Sequence, residues 1–333
     1  MKATGMKHEE LVQALGPLGG LYAQPEVQRI LVDAPRQVLV ERGGRLEPSG
    51  VRFDSPEALE AVIEAALALA GVARSLGETI YEARLVDGAR LLAVLPPTAP
   101  NGPYLVIGKL VVPTLTWEQL LEFGSVTPGE LELLQSAIRA RRNFLIAGGT
   151  ASGKTTVANL LAESIPEQER LVIVEGVHEM QIRSPRAIFL EADEASGPSL
   201  SALLSAAARM RPDWLVVGEL LGAESMRAME IFSRGHNGMT TIHADSAEDA
   251  LARLEALCLM ANLGLGLNEI RTLIAAAIQV ITYQERLPNG KRRLTHIVEL
   301  RGLENGRYVL QPLWRYNPQN DQIEPTGLAA SWA

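Results

Sequence analysis

The sequence predicts an α/β protein in which a smaller α+β region precedes a larger domain built on a parallel sheet. Short apolar segments alternate with amphipathic ones after about residue 127, as in a mostly parallel sheet covered by helices on both faces. A glycine-rich turn at 148–155 separates a predicted strand from a predicted helix. The first 108 residues mix strand and helix patterns without that alternation.

The composition limits the possible functions. The 333 residues are 47% hydrophobic and 21% charged, which is typical of a folded globular protein. The 31 Lys and Arg against 39 Asp and Glu give a net charge of -8, so direct nucleic-acid binding is not expected. Cys258 is the only cysteine, which excludes an intramolecular disulfide and fits the reducing cytoplasm.

No targeting or membrane segment is expected. The N-terminus lacks the apolar core of a secretory signal. Apolar stretches such as 67–73 and 273–281 are shorter than the roughly 18 residues of a membrane helix. We therefore expect a cytoplasmic protein that meets a membrane only at its surface, through partners.

The first region, 1–108, is predicted as an α+β domain. Its helix, 57–70, has apolar residues at helical spacing and begins after Ser55 and Pro56. Its predicted strands are 29–32, 38–41, 90–95 and 104–107. A linker is expected over 109–126, as a connector with a short helix that serves as a hinge.

The second region, 127–333, is predicted as the larger domain. Thr127-Pro128-Gly129-Glu130 is a capping box that begins a helix expected to run to Arg142. The predicted strands are 143–147, 171–175, 214–218 and 239–242, and the predicted helices are 154–164, 199–209, 223–234, 247–260 and 267–278. Pro288-Asn289-Gly290 and Asn305-Gly306 predict hairpins in a β-rich end.

The glycine-rich turn fits the P-loop spacing G-x-x-x-x-G-K-[ST]. Successive backbone N–H groups at such a helix N-terminus bind phosphates. Lys154 is expected to reach the β- and γ-phosphates of ATP, and the Thr155 hydroxyl to coordinate Mg²⁺. The residues expected to contact the nucleotide here are Gly148, Gly149, Thr150, Ala151, Ser152, Gly153, Lys154, Thr155 and Thr156.

Carboxylates after two apolar strands are candidates for the chemistry of ATP. Glu219 ends the strand at 214–218, where a Walker B acid would hold the metal through water. Glu175 and Glu179 follow the strand at 171–175, and residues past the carboxyl end of a parallel strand line the ligand crevice. For each of these acids the alternative is an ordinary exposed surface glutamate.

Two histidines flank another predicted strand. His236 and His243 are too far apart for the i, i+4 spacing of a helical zinc site. They are either satisfied loop histidines, or one of them senses the γ-phosphate or a neighbouring subunit.

The order of these motifs resembles the type II/IV secretion ATPase superfamily. The similar segments are Gly-Gly-Thr-Ala-Ser-Gly-Lys-Thr-Thr, then Val-Ile-Val-Glu-x-x-x-Glu, then Arg-Met-Arg-Pro-Asp leading to Val-Val-Gly-Glu, then Gly-His-x-Gly and Thr-Ile-His-Ala-Asp-Ser-Ala. The resemblance is strongest to the Tad-pilus assembly ATPases (CpaF/TadA type) and the conjugal-transfer ATPases (TrbB type). It extends over nearly the whole chain.

This resemblance implies a RecA-like P-loop motor domain behind the N-terminal domain, and a homohexameric ring at the inner face of the cytoplasmic membrane. Its partners would be inner-membrane secretion or pilus platform proteins. Glu179 matches the catalytic glutamate of the Asp box, Glu219 the Walker B glutamate, and His236 and His243 the His box.

The resemblance also implies roles for two arginines of the first region. Arg84 and Arg90 match positions from which the N-terminal domain of the family directs arginines toward the nucleotide. Such cations would neutralise the charge that develops on the phosphoryl group.

Four departures from the family pattern are present. Ala151 replaces a usual Gly, Gly176 a usual Asp, Leu221 a usual Arg, and Gly108 the Arg of an expected Ile-Arg-Lys strand end. Loss of two cations near the phosphates is expected to slow turnover, since their effect is on the transition state.

Three functions are consistent with these sequence features. The first is an ATP-hydrolysing motor for pilus assembly or substrate export. The second, which the departures favour, is a weakly hydrolysing ring scaffold or regulator of the same apparatus. The third is a nucleic-acid-stimulated motor, which the acidic balance opposes, although Arg139, Arg141, Arg142 and the segment 291–293 are local basic spots.

Overall fold

The structure is a computed structural model that describes residues 2–43, 45–109, 115–192, 197–287 and 289–332, with side chains from His8 onward. The chain divides into two units, Met1–Val111 and Val112–Ala333. Every helix in the described part of the chain is too short or too polar to cross a lipid bilayer. The linker expected over 109–126 includes residues 110–114, which lie outside the described residues, so the hinge stays a prediction.

In its described residues, the first unit combines three helices with one antiparallel sheet. The helices are α1 (Lys2–Ala14), α2 (Gly19–Tyr22) and α3 (Pro56–Leu69), with one 3-10 turn at Gly16–Leu18. The strands are β1 (Val27–Ala34), β2 (Gln37–Arg42), β3 (Arg45–Pro48), β4 (Ile80–Arg84), β5 (Arg90–Val94) and β6 (Tyr104–Gly108).

The sheet of the first unit has the strand order β3-β2-β1-β6-β5-β4. The edge strand β3 is exposed throughout, whereas alternate residues of β6 are buried, with Leu105 and Ile107 fully buried. Those residues share one core cluster with Leu11 of α1 and Leu59 and Ile63 of α3. One face of the sheet is therefore covered by the helices, which is the two-layer arrangement that period-2 patterning produces.

The second unit is larger and alternates helices with strands. Its helices are α4 (Trp117–Glu122), α5 (Pro128–Arg139), α6 (Lys154–Glu163), α7 (Leu200–Ala207), α8 (Glu224–Ser233), α9 (Ala247–Leu259) and α10 (Leu267–Ala277). Its strands are β7 (Phe144–Gly148), β8 (Leu171–Glu175), β9 (Ala187–Glu191), β10 (Trp214–Glu219), β11 (Asn237–His243), β12 (Val280–Arg286), β13 (Arg292–Glu304), β14 (Arg307–Asn317) and β15 (Gln322–Pro325).

These strands form one sheet in the order β15-β14-β13-β12-β7-β11-β10-β8-β9. The part from β12 to β9 is parallel, and β13, β14 and β15 continue it as antiparallel strands. The carboxyl ends of the parallel strands lie at one edge of the sheet. That edge is where an open α/β sheet binds its ligands.

Both faces of the parallel part are covered. Leu145 and Ala147 of β7 pack in one core cluster with residues of α7 to α10. Phe144 and Ile146 of the same strand pack in a second cluster with residues of α5 and α6. Because every residue of such a strand is buried, its sequence is a continuous apolar run, as the sequence analysis expected.

Most predicted elements are present with shifted ends, and several were missed. The helix expected to run to Arg142 ends at Arg139, because Arg141 has φ +54° and the N–H of Arg142 donates to Ala137 O, a Schellman end. Strand β9 was missed because it is a short, half-buried edge strand. Helix α1 and strands β3 and β4 were also not predicted.

The capping box and the hairpins are present where the sequence predicts them. The Thr127 and Glu130 side chains each accept from the backbone N–H of the other. Asn305 and Gly306, both with positive φ, connect β13 to β14. Strands β12 and β13 pair as the second hairpin, although Pro288 of its predicted turn lies outside the described residues.

Candidate functional site

The glycine-rich turn lies between β7 and α6 at the carboxyl edge of the parallel sheet. Gly148 has φ +158°, and a Cβ there would lie 2.4 Å from Gln284 O and 2.5 Å from Ser152 Oγ. Gly153, with φ +106°, is the N-cap of α6. Both positions require glycine, one because of space and the other because of its backbone conformation.

Ala151 occupies a left-handed conformation within this turn, with φ +57°. An L-residue with a Cβ is disfavoured there by roughly 1–2 kcal/mol, whereas glycine is not. The departure from the family glycine therefore introduces local strain at the top of the turn.

Lys154 is the first residue of α6 and its side chain is directed back over the turn. Its Nζ donates to the carbonyl oxygens of Gly148 and Gly149, each at 3.0 Å, and lies 3.7 Å from Glu219 Oε1. Burial lowers the pKa of Lys154, and the negative charges of Glu219 and Glu179 oppose that shift. The structure thus places both acids within electrostatic reach of this ammonium group.

Glu219 is placed by an irregularity at the end of β10. The pairing of β10 with β11 shifts register between Val217 and Glu219. The buried Thr240 hydroxyl donates to Gly218 O at 3.0 Å and fixes this point. The Glu219 side chain is 40% exposed, so its carboxylate faces the open edge of the sheet beside Lys154.

Glu175 and Glu179, which the sequence analysis treated as equivalent, have different environments. Glu175 is buried, and its Oε1 accepts the backbone N–H groups of Glu179 and Met180. Glu179 is exposed at the open edge. The expectation that Glu175 orients water or metal is therefore not supported, because its oxygens are used by the following loop.

The two histidines that the resemblance matches to the His box, His236 and His243, lie at opposite ends of β11. His243 pairs in register with Gly148, and the N–H of Ala244 donates to Gly148 O. His236 precedes Asn237, which pairs with Trp214 at the amino end of β10. A strand of this length separates them by roughly 20 Å. Only His243 is therefore beside the glycine-rich turn.

Arg84 and Arg90 belong to the first unit. They face each other across β4 and β5, and Arg90 pairs in turn with Gly108, which pairs with Arg29. The arginines thus form one row across the exposed face of the sheet, interrupted by the glycine that replaces a family arginine. Their approach to a nucleotide stays a prediction.

A cleft of about 270 Å³ adjoins the glycine-rich turn on the side of β12. The residues that line it are Leu115, Leu120, Phe123, Ser125, Val126, Ser152, Gly153, Thr156, Val157, Gln284, Gly290, Lys291, Arg292, Arg293 and Leu294. Ser152 Oγ, Gln284 Oε1 and Arg293 Nε are buried and have no hydrogen-bond partner among the described residues. The cleft is therefore largely apolar with polar atoms available in its wall.

Gln284 and the cleft were not predicted from the sequence. A polar residue after the largely apolar start of β12 is the signal that could have identified Gln284. The apolar residues at 115–126 carry no such signal, since they resemble any linker helix.

Comparisons with known proteins place the chain in a family. A family model described as type II/IV secretion system protein matches residues 13–297. A provisionally named conjugal transfer protein of Mycobacterium tuberculosis is 33% identical over 86% of this chain and 84% of its own length. The conjugal transfer protein TrbB of Rhizobium radiobacter is 31% identical over 85% of this chain and 86% of its own.

Solved structures show the fold. The Legionella pneumophila ATPase DotB has a TM-score of 0.59 at 18% identity, covering 85% of this chain and 79% of that one. The pilus retraction motor PilT has a TM-score of 0.58 at 17% identity, covering 88% and 80%. The predicted RecA-like motor domain behind a smaller α+β domain is therefore confirmed. By its sequence, the chain belongs to the type II/IV secretion system protein family.

Proposed function

We propose that the protein binds and hydrolyses ATP at the glycine-rich turn. The observation that supports this most is the position of Lys154, whose Nζ lies over the turn and 3.7 Å from Glu219, with Glu179 also within electrostatic reach. A lysine at the turn, an acid that can hold Mg²⁺ and an acid that can position water are recurring parts of phosphoryl-transfer sites.

Each residue of the turn has a distinct task in this proposal. The backbone N–H groups of 149–154 and the N-terminus of α6 bind the β- and γ-phosphates, and Lys154 adds a charge-assisted hydrogen bond. Glu179 orients or deprotonates the attacking water. His243, beside the turn, is proposed to sense the γ-phosphate.

The donors at the site fit Mg²⁺. The Thr155 hydroxyl and the Glu219 carboxylate are hard oxygen ligands, which Mg²⁺ prefers, and a carboxylate can hold it through water. Bound with ATP, Mg²⁺ would neutralise charge on the phosphates.

The cleft beside the turn is proposed to hold the nucleobase. Its volume of about 270 Å³ is near the lower end of ligand pockets, about 300–1,000 Å³, so it suits one ring system rather than a whole nucleotide. Leu120, Phe123 and Val157 offer apolar contact, and Gln284 offers a buried acceptor.

The biological role follows from the relatives. Proteins similar to this chain are named for conjugal transfer and, for PtlH of Bordetella pertussis, for type IV secretion. We propose a homohexameric ATPase at the cytoplasmic face of the inner membrane, in which movement between the two domains drives substrate export or pilus assembly through platform proteins. Service in a Tad-type pilus is one form of this proposal.

A weakly hydrolysing ring scaffold is the alternative. The strained Ala151 and the exposed Leu221, which stands where the family has arginine, favour it. Such a protein would bind ATP through the same turn but respond to the bound state rather than to turnover.

Steady-state phosphate release from Mg·ATP distinguishes the two. We expect release by the wild-type protein, and a loss of roughly 10²- to 10⁴-fold in Glu179→Gln with ATP affinity retained, because only the general base is removed. Release equal to buffer in the wild type would support the scaffold. Unchanged release in the variant would remove Glu179 from the mechanism.

A further inference from the structure

Glu175 is an acid of the site region that the hydrolytic roles above do not use. This residue is only 2% exposed. It follows Leu171 and Ile173 along β8, and these residues belong to the core cluster on the face that α6 covers. Burying a carboxylate without hydrogen-bond partners is costly. The groups that donate hydrogen bonds to Glu175 therefore indicate its role.

Those donors belong to the loop that carries Glu179. Glu175 Oε1 accepts the backbone N–H groups of Glu179 and Met180, each at 2.9 Å, and Oε2 lies 3.0 Å from His178 Nδ1. Both hydrogen bonds end on one oxygen of a buried side chain, so they restrain both donors together. The two consecutive amides are therefore held in one orientation, and with them the Cα of Glu179.

The same side chain lies against the strand that ends at Glu219. A Cβ at Gly218 would lie 3.3 Å from Glu175 Cγ and 3.4 Å from its Cα. The absence of a side chain at Gly218 lets the Glu175 side chain pack on the backbone immediately before Glu219. One buried side chain thus contacts both segments that present the exposed acids.

The rest of the loop is held at points farther from Glu179. The N–H of His178 donates to Glu191 on β9 at 3.1 Å, and the N–H of Gln181 donates to Asn159 on α6 at 3.3 Å. These bonds connect the loop to its neighbours, whereas Glu175 bonds the peptide N–H of Glu179 itself.

We propose that Glu175 is a positioning residue for hydrolysis, whose buried carboxylate fixes the direction of Glu179 toward the ligand edge by accepting the amides of Glu179 and Met180. The proposal rests on the proposed function, in which Glu179 acts on the attacking water. Glu175 works as a hydrogen-bond acceptor, so its basicity takes no part in the reaction.

Two substitutions separate positioning from chemistry. Glu175→Ala removes the acceptor and is expected to lower kcat roughly 10- to 100-fold with KM and ATP affinity little changed, as a misplaced catalytic group does. Glu175→Gln keeps an oxygen for both amides and is expected to retain kcat within about fivefold, since an amide accepts more weakly. Glu179→Gln lacks the proposed general base, so it serves as the inactive reference for both Glu175 variants.

Glu255→Ala is the matched control. Glu255 is also buried and is paired with Arg271 at 2.8 Å, away from the glycine-rich turn. Its loss is expected to lower Tm as Glu175→Ala does, without changing kcat. A Glu175→Gln protein as inactive as Glu179→Gln would overturn the proposal, and so would a Glu175→Ala protein with wild-type kcat. If Glu175→Ala does not fold, the contrast between the two glutamine variants decides.

Hydrogen exchange tests whether Glu175 holds the loop, and it does not depend on ATP hydrolysis. The amides of Glu179 and Met180 are expected to be protected in the wild-type protein and to exchange faster in Glu175→Ala, while Glu255→Ala leaves them unchanged. If the wild type releases no phosphate, the proposed function fails, but exchange still shows whether Glu175 holds the loop. Equal exchange rates of these two amides in the wild type and Glu175→Ala would contradict the proposal that Glu175 holds the loop.

Discussion

Strands β8 and β10 are neighbours, and both are apolar strands that end in glutamate, yet their glutamates have opposite environments. Glu175 is 2% exposed and bonded to backbone amides, whereas the Glu219 side chain is 40% exposed and lies beside Lys154. The register shift at Gly218 directs Glu219 outward, and the loop after β8 folds back over Glu175. A strand-terminal acid can therefore either hold a neighbouring loop or face a ligand, and its sequence pattern alone does not say which.

Replacing each strand-terminal glutamate by glutamine tests whether Glu219 and Glu175 have different roles. Glu219→Gln is expected to lower phosphate release roughly 10- to 100-fold, as loss of an outer metal partner does, and to raise the Mg²⁺ concentration needed for half-maximal release. Glu175→Gln is expected to retain kcat within about fivefold. Equal losses in steady-state assays of the two variants would show that the environments do not separate their roles.

Glu130, another buried glutamate, sharpens the comparison. Glu130 accepts from Thr127 N and Oγ1 through Oε2, but its Oε1 has no hydrogen-bond partner among the described residues. Burial raises the pKa of Glu130 to about 7, although the Thr127 hydrogen bonds oppose the rise. Glu130 is thus the buried acid whose ionisation costs stability.

Because its pKa is higher in the folded state, Glu130 stabilises the fold at low pH and loses that contribution as the pH rises toward 7. Between pH 5.5 and 8 the free energy of unfolding of the wild type should fall by about 2 kcal/mol relative to Glu130→Gln. Urea denaturation at both pH values measures this. Glu132→Gln, an exposed site on the same helix, should show no such difference; a pH-independent difference for Glu130→Gln would contradict the assignment.

The smallest expected effect is a change in the free energy of unfolding on substitution in the glycine-rich turn. Ala151→Gly is expected to raise the free energy of unfolding by about 0.5–1 kcal/mol, because glycine adopts φ +57° without strain. Ala140→Gly is the control, since Ala140 has φ -81° and gains nothing from glycine. Denaturation curves in which both variants are destabilised equally would show that Ala151 is not strained.

Much of the fold and part of the site could be predicted from the sequence. The remaining features depend on tertiary contacts or leave little pattern in the sequence. The α/β class, the turn around Lys154 and the capping box at Thr127 follow from periodicity and local motifs. The position of His243 rather than His236 beside the turn follows only from strand pairing. The burial of Glu175 follows only from the way the next loop folds back. Edge strand β9 was missed because half-burial leaves little pattern, and the cleft because it joins segments distant in sequence.

The most direct test of the central claim is ATP binding by Lys154→Ala. The claim is that the turn around Lys154 binds the triphosphate, so calorimetric titration with Mg·ATP should show binding by the wild type. Loss of the charge-assisted bond should weaken it roughly 10- to 100-fold. Arg301→Ala, an exposed site on β13, should bind as the wild type does. Equal affinity in Lys154→Ala and the wild type would contradict the account.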